Sequence, residues 1–488
     1  MSEVKNTDYA IDYLVSVLEN VNGLRGFEAD ATKVEQKPES TLCSIFRRYL
    51  TSSEDSIEPV FLSADEDKYI YMYDGKCYTP VDVKNLKYVI MTAMERLEIS
   101  NIYSVNSSKK IAENCALVLQ CDTDFIFKPN RRYAIFDNCV MDLMDFSLKE
   151  HSIEFRSDLR FGFSYKANAE SALWIEKLNE TIPDKSMQDA LQEFMGALLD
   201  CREFKIEYAL FMIGPVGQNG KSLIINSILS MFDPSLISNH TADKLFKSEK
   251  KEYYIASCDG KVCNYIDDLD YKDFSGGDFK AFVSNDAMSA RSPYGRPFKT
   301  KKLPKLICNA NDMPPITDDS GGFERRIMPI QCPNLLTEDK KDVTLEKRMK
   351  EEPVQQAIFN WILEGYKRVV ANNGKIQLSE TMKSMRSDIM ADVNSARRWV
   401  EERCYCPCEP KGDFDERWRS MVDIMREFQQ FCKDYGYNSV SAKGVGRVLN
   451  RLGFKKKHTR TGSFYCIDIR EDIKEAEEKM NEADDLPF

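Results

Sequence analysis

Apolar residues fall along this chain in short blocks, and the spacing inside the blocks switches between a strand period and a helix period. Tyr208–Ile213 is a continuous apolar run of strand length. It breaks at Gly214-Pro215. After a polar loop, a helical pattern follows with Leu223, Ile224, Ile228, Leu229 and Met231, and Asp233-Pro234 stops it. Further buried strands are predicted at Lys261–Asp267 and Leu303–Asn309. Alternation on both sides of Asp74-Gly75 across Lys68–Tyr78 predicts a β-hairpin. Tyr133–Met144 reads as strand, turn and strand, with Asn138 in the turn. Helices are predicted over Val83–Leu97, over 170–200 and over Leu345–Val370. In 170–200 the residues Trp174, Leu178, Leu191, Phe194 and Leu198 are available for one face. Near the C-terminus, Asp413–Tyr435 and Ser441–Leu452 read as helices, and Gly453–Ile469 as two strands around Thr461-Gly462. Residues 1–60 alternate short helical patterns with polar stretches and carry no recognisable chemistry. Strands interleaved with helices predict an α/β protein.

The loop after the first apolar run changes the picture from fold to chemistry. It ends in Asn219-Gly220-Lys221-Ser222 between a strand and a helix, the context of a phosphate-binding loop. Glycines let successive backbone N–H groups face one anion, and the helix N-terminus adds positive potential there. Gly214, Gly217, Gln218, Asn219, Gly220, Lys221 and Ser222 would form the cradle. Lys221 would reach the β- and γ-phosphates of ATP, and the Ser222 hydroxyl would ligate Mg²⁺. The usual spacing, G-x-x-x-x-G-K-[ST], puts Pro215 at the first glycine, with Gly214 one place early. The loop is therefore one residue longer, or it turns through Gly217.

Composition narrows the class. With 488 residues, 30% charged and 42% hydrophobic, the chain has room for a large core and about three or four domains. No apolar run approaches the roughly 18 residues of a membrane span, and the N-terminal residues lack a signal pattern, so the expectation is a cytoplasmic protein with no membrane partner. The 15 cysteines are scattered, as reduced core thiols are. A net charge of −11 argues against coating nucleic acid with the whole surface. Basic residues nevertheless cluster at Arg291–Lys305 and Arg447–Arg460.

Other candidates follow in chain order. Asp65, Glu66 and Asp67 are contiguous, so they cannot point the same way on a strand, and no primase or polymerase site is read from them. The strand Lys261–Asp267 ends in Asp267-Asp268; one acid would hold Mg²⁺ through water and the other would polarise the attacking water. Gly276-Gly277-Asp278 reads as a turn. Ser292-Pro293-Tyr294-Gly295 punctuates a hairpin carrying Arg291, Arg296 and Lys299, with Tyr294 and Phe298 interleaved, a pattern that suits a single strand with stacked bases. Asn311, past the third strand, would orient the attacking water, and Arg325 or Arg326 would be an arginine finger or a surface ion-pair partner.

In order, these are an Asn-Gly-Lys-Ser loop, a strand ending Asp-Asp, Lys280-x5-Asp286-x4-Arg291, Asn311-x-x-Pro314 and Arg325-Arg326-Ile327. The set closely resembles superfamily 3 helicases, specifically the helicase half of satellite-phage and poxvirus primase-helicases. One departure is Asn285, where the family commonly has glycine before the motif aspartate. The resemblance implies an AAA+ motor fold working as a homo-hexameric ring. ATP and Mg²⁺ would sit at subunit interfaces, with Arg325 or Arg326 supplied in trans. The hairpins would line a channel gripping one DNA strand, with translocation 3′ to 5′. Tyr133–Leu198 resembles the helical collar region before that motor, and Leu345–Val370 the helical lid after it.

Beyond the motor, Cys404, Cys406 and Cys408 lack a Cys-x2-Cys arm or a nearby His, and only Cys432 offers a fourth zinc ligand. Helix, helix and β-wing predict a winged helix, which the family also carries there. Ser441–Arg451 would be its recognition helix, and Lys455, Lys456, Lys457 and Arg460 would contact duplex phosphates. A basic protein-interaction module is the other reading. The acidic tail ends Asp484-Asp485-Leu486-Pro487-Phe488, which resembles the tip of bacterial single-stranded-DNA-binding proteins. As such a mimic it would recruit host proteins that read that tip, in a bacterial cytoplasm; plain acidic solvation is the alternative.

The expected division is an α+β accessory region (1–125), a helical collar region (126–200), the motor with its lid (201–390), a winged-helix DNA-binding domain (391–470) and the tail (471–488). The expected function is an ATP-dependent replicative DNA helicase of a phage, plasmid or integrated element. The rivals are an origin-binding AAA+ remodeller without processive unwinding and an ATP-assembled structural ring.

Overall fold

A computed structural model describes residues 11, 12, 15, 61–63, 70–81, 83–96, 106, 110, 113, 114, 129–214, 219–269, 277–293, 295–311, 322–334, 344–393, 395–405, 418–435, 437, 439, 442–459 and 462–469. Among the expected site residues, Gly217, Gln218, Tyr294, Cys406, Cys408, Arg460 and the tail from 470 lie outside these.

Phe61–Ser63 (β1), Ile70–Tyr73 (β2) and Tyr78–Val81 (β3) form an antiparallel sheet in that order. The predicted hairpin turns at Asp74-Gly75 because Gly75 takes φ 96° and Asp74 Oδ1 accepts the amides of Lys76 and Cys77. Helix α1, Val83–Arg96, follows and buries Leu86, Val89, Ile90 and Ala93, one helical face.

Tyr133–Ile135 (β4), Val140–Asp142 (β5) and Leu148–Lys149 (β6) make a second antiparallel sheet. Asn138 sits between β4 and β5 and exchanges two hydrogen bonds with the Tyr165 backbone. Then come α2, Ala172–Thr181, capped by Ser171, and α3, Lys185–Gly196, capped by Asp184. Trp174, Leu178, Leu191, Phe194 and Leu198 are all buried, as their spacing predicts.

The central elements alternate in chain order: Ala209–Ile213 (β7), Lys221–Leu229 (α4), Ile237–Ser238 (β8), Ala242–Phe246 (α5), Lys251–Cys258 (α6), Cys263–Ile266 (β9) and Gly277–Val283 (α7). Ser289–Arg291 (β10) and Pro297–Lys299 (β11) form an antiparallel hairpin, and Lys305–Ala310 (β12) and Ile327–Gln331 (β13) complete the sheet. Gly277 and Asp278 open α7, and Asp278 pairs with Lys251 at 2.6 Å, so these two residues are helix rather than the expected turn. Strand order is β13-β7-β12-β9-β8, all parallel.

Side chains alternate across this sheet. Leu210 and Met212 of β7 join one core, and Ala209 and Phe211 the other. The second core is closed by α5, α6 and α7 through residues such as Leu245, Ile255 and Phe279. The first takes in α2, α3, α4 and the helices Leu345–Met349 (α8) and Glu352–Ala371 (α9). Residues from Ala134 to Met382 thus contribute to one continuous core together with the sheet strands. Gly196 of α3 and Gly365 of α9 let those helices touch backbone to backbone. A Cβ at Gly365 would run into the Gln192 carbonyl, and one at Gly196 into the Tyr366 amide.

Glu380–Val393 (α10) leads to a separate core around Trp399, Phe428, Val445 and Leu449. It is built by Ser395–Arg403 (α11), Cys404–Tyr405 (β14), Trp418–Ser420 (β15), Met421–Tyr435 (α12), Ala442–Arg451 (α13), Lys456–Thr459 (β16), Gly462–Cys466 (β17) and Asp468–Ile469 (β18). The order helix, helix, two-stranded ribbon is the expected one. Residues 418–420 are strand where helix was expected, because they pair with β17. Among the described residues there is no disulfide, and no helix is long and apolar enough to cross a membrane.

Candidate functional site

The carboxyl ends of β7, β12 and β9 bring the chemistry together, as expected for an open parallel sheet. Gly214 follows β7, and its amide bonds the Ala310 carbonyl at the end of β12. Gly220 takes φ 80° at the start of α4. A side chain there would be strained by that angle and would also strike Thr181 Oγ1 of α2. Helix α2 thus packs directly against Gly220. Asn219 is buried and its amide reaches the Cys332 carbonyl at 3.4 Å.

Lys221 is only 6% exposed, and its ammonium donates to the Gly214 carbonyl at 3.0 Å. Burial holds its pKa below the usual lysine value, against the pull of Cys332 and Asp268. A buried lysine with one carbonyl partner can trade that bond for an anion.

Ser222 Oγ donates to Asp267 Oδ1 at 2.8 Å. The same carboxylate oxygen accepts from the Tyr265 hydroxyl and, at 3.1 Å, from Asn309 Nδ2. Burial alone would raise the Asp267 pKa, but the hydrogen bonds from Tyr265, Ser222 and Asn309 outweigh it and keep the carboxylate below its ordinary value. Burial, then Asp267, pushes the Tyr265 phenol well up, so it stays a donor. Asp268 is exposed and makes no hydrogen bond to Ser222. Of the two acids, Asp267 is the one hydrogen-bonded to Ser222.

Asn309 and Tyr265 were not singled out in the sequence. Asn309 is buried inside β12, and its Nδ2 also meets Tyr265 Oη at 2.6 Å and Ser222 Oγ at 3.2 Å. Its Oδ1 is buried without a partner among the described residues. A polar residue inside the apolar run from Leu306 to Ala310 was the available signal. Asn311 is exposed, one residue past β12 and beside Gly214 across the strand pair. A hydroxyl and a carboxylate oxygen in contact, beside an unsatisfied amide oxygen, form a hard oxygen donor set that fits Mg²⁺.

Arg326, one of the two arginine-finger candidates, is held by its own neighbours in the fold. It is 6% exposed, with Nε at 3.0 Å and Nη2 at 2.6 Å from Ser284 Oγ and Nη1 at 2.6 Å from the Gly322 carbonyl. It braces its own subunit. Arg325 is exposed. It precedes β13, whose first residue pairs with Ala209. Four residues of β7, about 13 Å at roughly 3.3 Å each, separate that level from Ile213 beside the loop. Arg325 therefore lies at the far edge of the sheet, beyond reach of its own Lys221.

The β10–β11 hairpin holds Arg291, Arg296 and Lys299, all exposed. Arg291 Nε donates to Gly295 O at 3.1 Å, which closes the turn, and Arg296 and Lys299 have no ion pair among the described residues. Asn285 takes φ 55°, and its Oδ1 accepts the Leu303 amide at 2.7 Å, so this asparagine adopts the left-handed conformation open to glycine. On the C-terminal ribbon, Lys455 and Lys456 are exposed; Lys456 lies over the Tyr465 ring and Lys457 over Trp418, at 5.6 and 4.8 Å.

A family model described as a family of unknown function (DUF5906) matches residues 212–326, the span from the end of β7 to Arg326. A candidate helicase of Acanthamoeba polyphaga mimivirus is 26% identical over 189 residues, 37% of this chain. The chain spans 19% of that relative's length. Among solved structures, the A-form apo structure of the NrS-1 C-terminal region aligns over 82% of this chain and 94% of its own, at 10% identity and a TM-score of 0.40. The apo structure of the same region aligns over 83% and 95%, at 11% and 0.42.

Proposed function

We propose that the chain is an ATP-driven DNA helicase of a virus or mobile element, of the superfamily 3 AAA+ type. The observation that supports this most is the convergence of Lys221, Ser222, Asp267 and Asn309 at the carboxyl ends of β7, β9 and β12. With the P-loop strand numbered first along the sheet, the order is 5-1-4-3-2, so a strand separates the loop from the acid.

Bound MgATP would supply the free energy of phosphoryl transfer. Lys221 leaves the Gly214 carbonyl to meet the β- and γ-phosphates, where its charge opposes the developing negative charge. Ser222 and Asp267 would hold the ion, and Tyr265 and Asn309 keep the Asp267 carboxylate ionised and aimed. Asp268 and Asn311, both exposed at the strand ends, take the attacking water. Arg325 serves the site of a neighbouring copy, which requires a ring of copies. Arg296 and Lys299 grip one DNA strand in the lumen, and the C-terminal module reads duplex as a winged helix.

The test is strand displacement on a forked DNA duplex with and without ATP, comparing wild type with Lys221→Ala. ATP-dependent displacement that the substitution removes, by at least about a hundredfold in ATPase rate, is expected. An equally active variant would sink the motor reading. Hydrolysis without displacement would leave an origin remodeller.

A further inference from the structure

We propose that a cleft at the amino-terminal edge of the parallel sheet binds a phosphate group, supplied by the backbone of the DNA strand held on the β10–β11 hairpin. The cleft has a volume of about 330 Å³. It lies where β7, β9 and β12 begin, the opposite edge from Lys221. Arg131, Lys205, Lys261, Lys301, Lys302 and Lys305 line it. Three carboxylates do as well: Asp200, Glu203 and Asp286. Six cations and three acids therefore line it, and two of the cations are already paired with acids outside the lining, Arg131 with Asp158 at 2.8 Å and Lys205 with Glu207 at 3.2 Å.

The acids do not neutralise the central lysines. Asp200 is buried with its two oxygens turned to the amides of Arg202 and Phe204 at 2.9 and 2.8 Å. Lys305 Nζ donates to the Ile206 carbonyl at 3.1 Å, and Lys302 Nζ approaches the Asp200 carbonyl at 3.5 Å. Neither ammonium has an ion pair among the described residues. Burial pulls both lysines down: Lys305 to about 8, against Asp200 and with Lys302 adding to the effect, and Lys302 with Arg131 adding and Asp200, Glu203 and Asp158 opposing. Two half-buried, mutually repelling ammonium groups lower stability unless an anion joins them, and a tetrahedral phosphate has oxygens enough for both.

The hairpin argues for the source. Only Thr300 and Lys301 separate Lys299 from Lys302, so a strand lying on Arg296 and Lys299 leads to the mouth of the cleft. The cleft wall includes Ser284, the residue that fixes Arg326. A phosphate there would press on the turn carrying Arg325, which links DNA occupancy to the neighbour's site. This inference rests on the DNA-motor reading for its choice of ligand.

The experiment uses the full chain without nucleotide. Binding of fluorescein-labelled oligo-dT is followed by anisotropy over a salt series, and thermal midpoints are recorded with and without pyrophosphate. Variants are Lys302→Ala, Lys305→Met and, as a control, Arg296→Ala with Lys299→Ala. Each cleft variant should fold, weaken oligo-dT binding roughly tenfold and lower the salt slope by about 0.7, the value for one neutralised phosphate on a single strand. If both cleft variants bind oligo-dT like wild type but lose a pyrophosphate-dependent gain in midpoint, the source is free phosphate and the DNA assignment is overturned. If neither readout changes while the hairpin control loses DNA, the cleft proposal fails and the motor reading stands. Absence of oligo-dT binding by wild type would instead defeat the motor reading.

Discussion

At the residue scale, neighbouring side chains of one type are sorted by where the backbone puts them. Arg325 and Arg326 are adjacent, yet one faces solvent and the other braces Ser284. Arg326→Ala should lower stability by about 2 kcal/mol or more, because Ser284 and the Gly322 carbonyl lose a charged partner in a buried place. Arg325→Ala should leave the thermal midpoint unchanged. When Arg325→Ala subunits are mixed with wild type, ATPase activity should fall more steeply than dilution, and a linear fall would point to a self-contained site. Lys305 gives a pH prediction. Its folded pKa is about 8 against an ordinary 10.5, so between those values the unfolded chain holds a proton that the folded chain lacks. Stability from this group therefore rises with pH across that window. The melting temperature of Lys305→Met should exceed that of wild type at pH 7, and the gap should close by pH 10.5. A gap independent of pH would show that Lys305 is not desolvated.

At the element scale, the packing of α3 on α9 ties the collar region to the lid. Gly365→Ala gains up to about 1 kcal/mol in helix propensity, but its Cβ meets the Gln192 carbonyl, which no rotamer change can relieve. The clash should win, with a net loss of about 1–3 kcal/mol measured by denaturant midpoint. A stabilised variant would mean that the two helices can part easily. The C-terminal ribbon offers a second measurement. Lys455→Ala with Lys456→Ala should lower the slope of duplex affinity against salt by about 0.9 for each phosphate no longer neutralised, and leave ATPase activity intact. An unchanged slope would make the module a protein-interaction surface.

At the scale of the whole molecule, the parallel sheet has two working edges. The carboxyl edge gathers Lys221, Ser222, Asp267 and Asn309; the amino edge carries the hairpin, the cationic cleft and Arg325. A single copy cannot bring Arg325 to its own Lys221 across the width of the sheet. The proposed ring, with one edge facing the next copy's other edge, would bring Arg325 to a neighbour's site and would confine the positive charge to a lumen. Analytical ultracentrifugation with a non-hydrolysable nucleotide should show a discrete oligomer whose ATPase activity depends on protein concentration. A fully active monomer would remove the trans role of Arg325.

The local pattern determined what local physics controls. Apolar runs of strand length became β7, β9 and β12, and helix α4 starts at Gly220-Lys221-Ser222, because glycine freedom and helix start signals act within a few residues. The hairpins at Asp74-Gly75 and at 289–299 were legible for the same reason. Tertiary structure decided the rest. It set Asp267 against Ser222 and brought in Asn309 and Tyr265, because those contacts depend on which strand lies beside which, and strand order is set by packing across hundreds of residues. It buried Arg326 and exposed Arg325 through the position of Ser284, far away in sequence. It packed α2, α3 and α9 into one core with the sheet, since a helix face records that it is apolar but not which partner covers it.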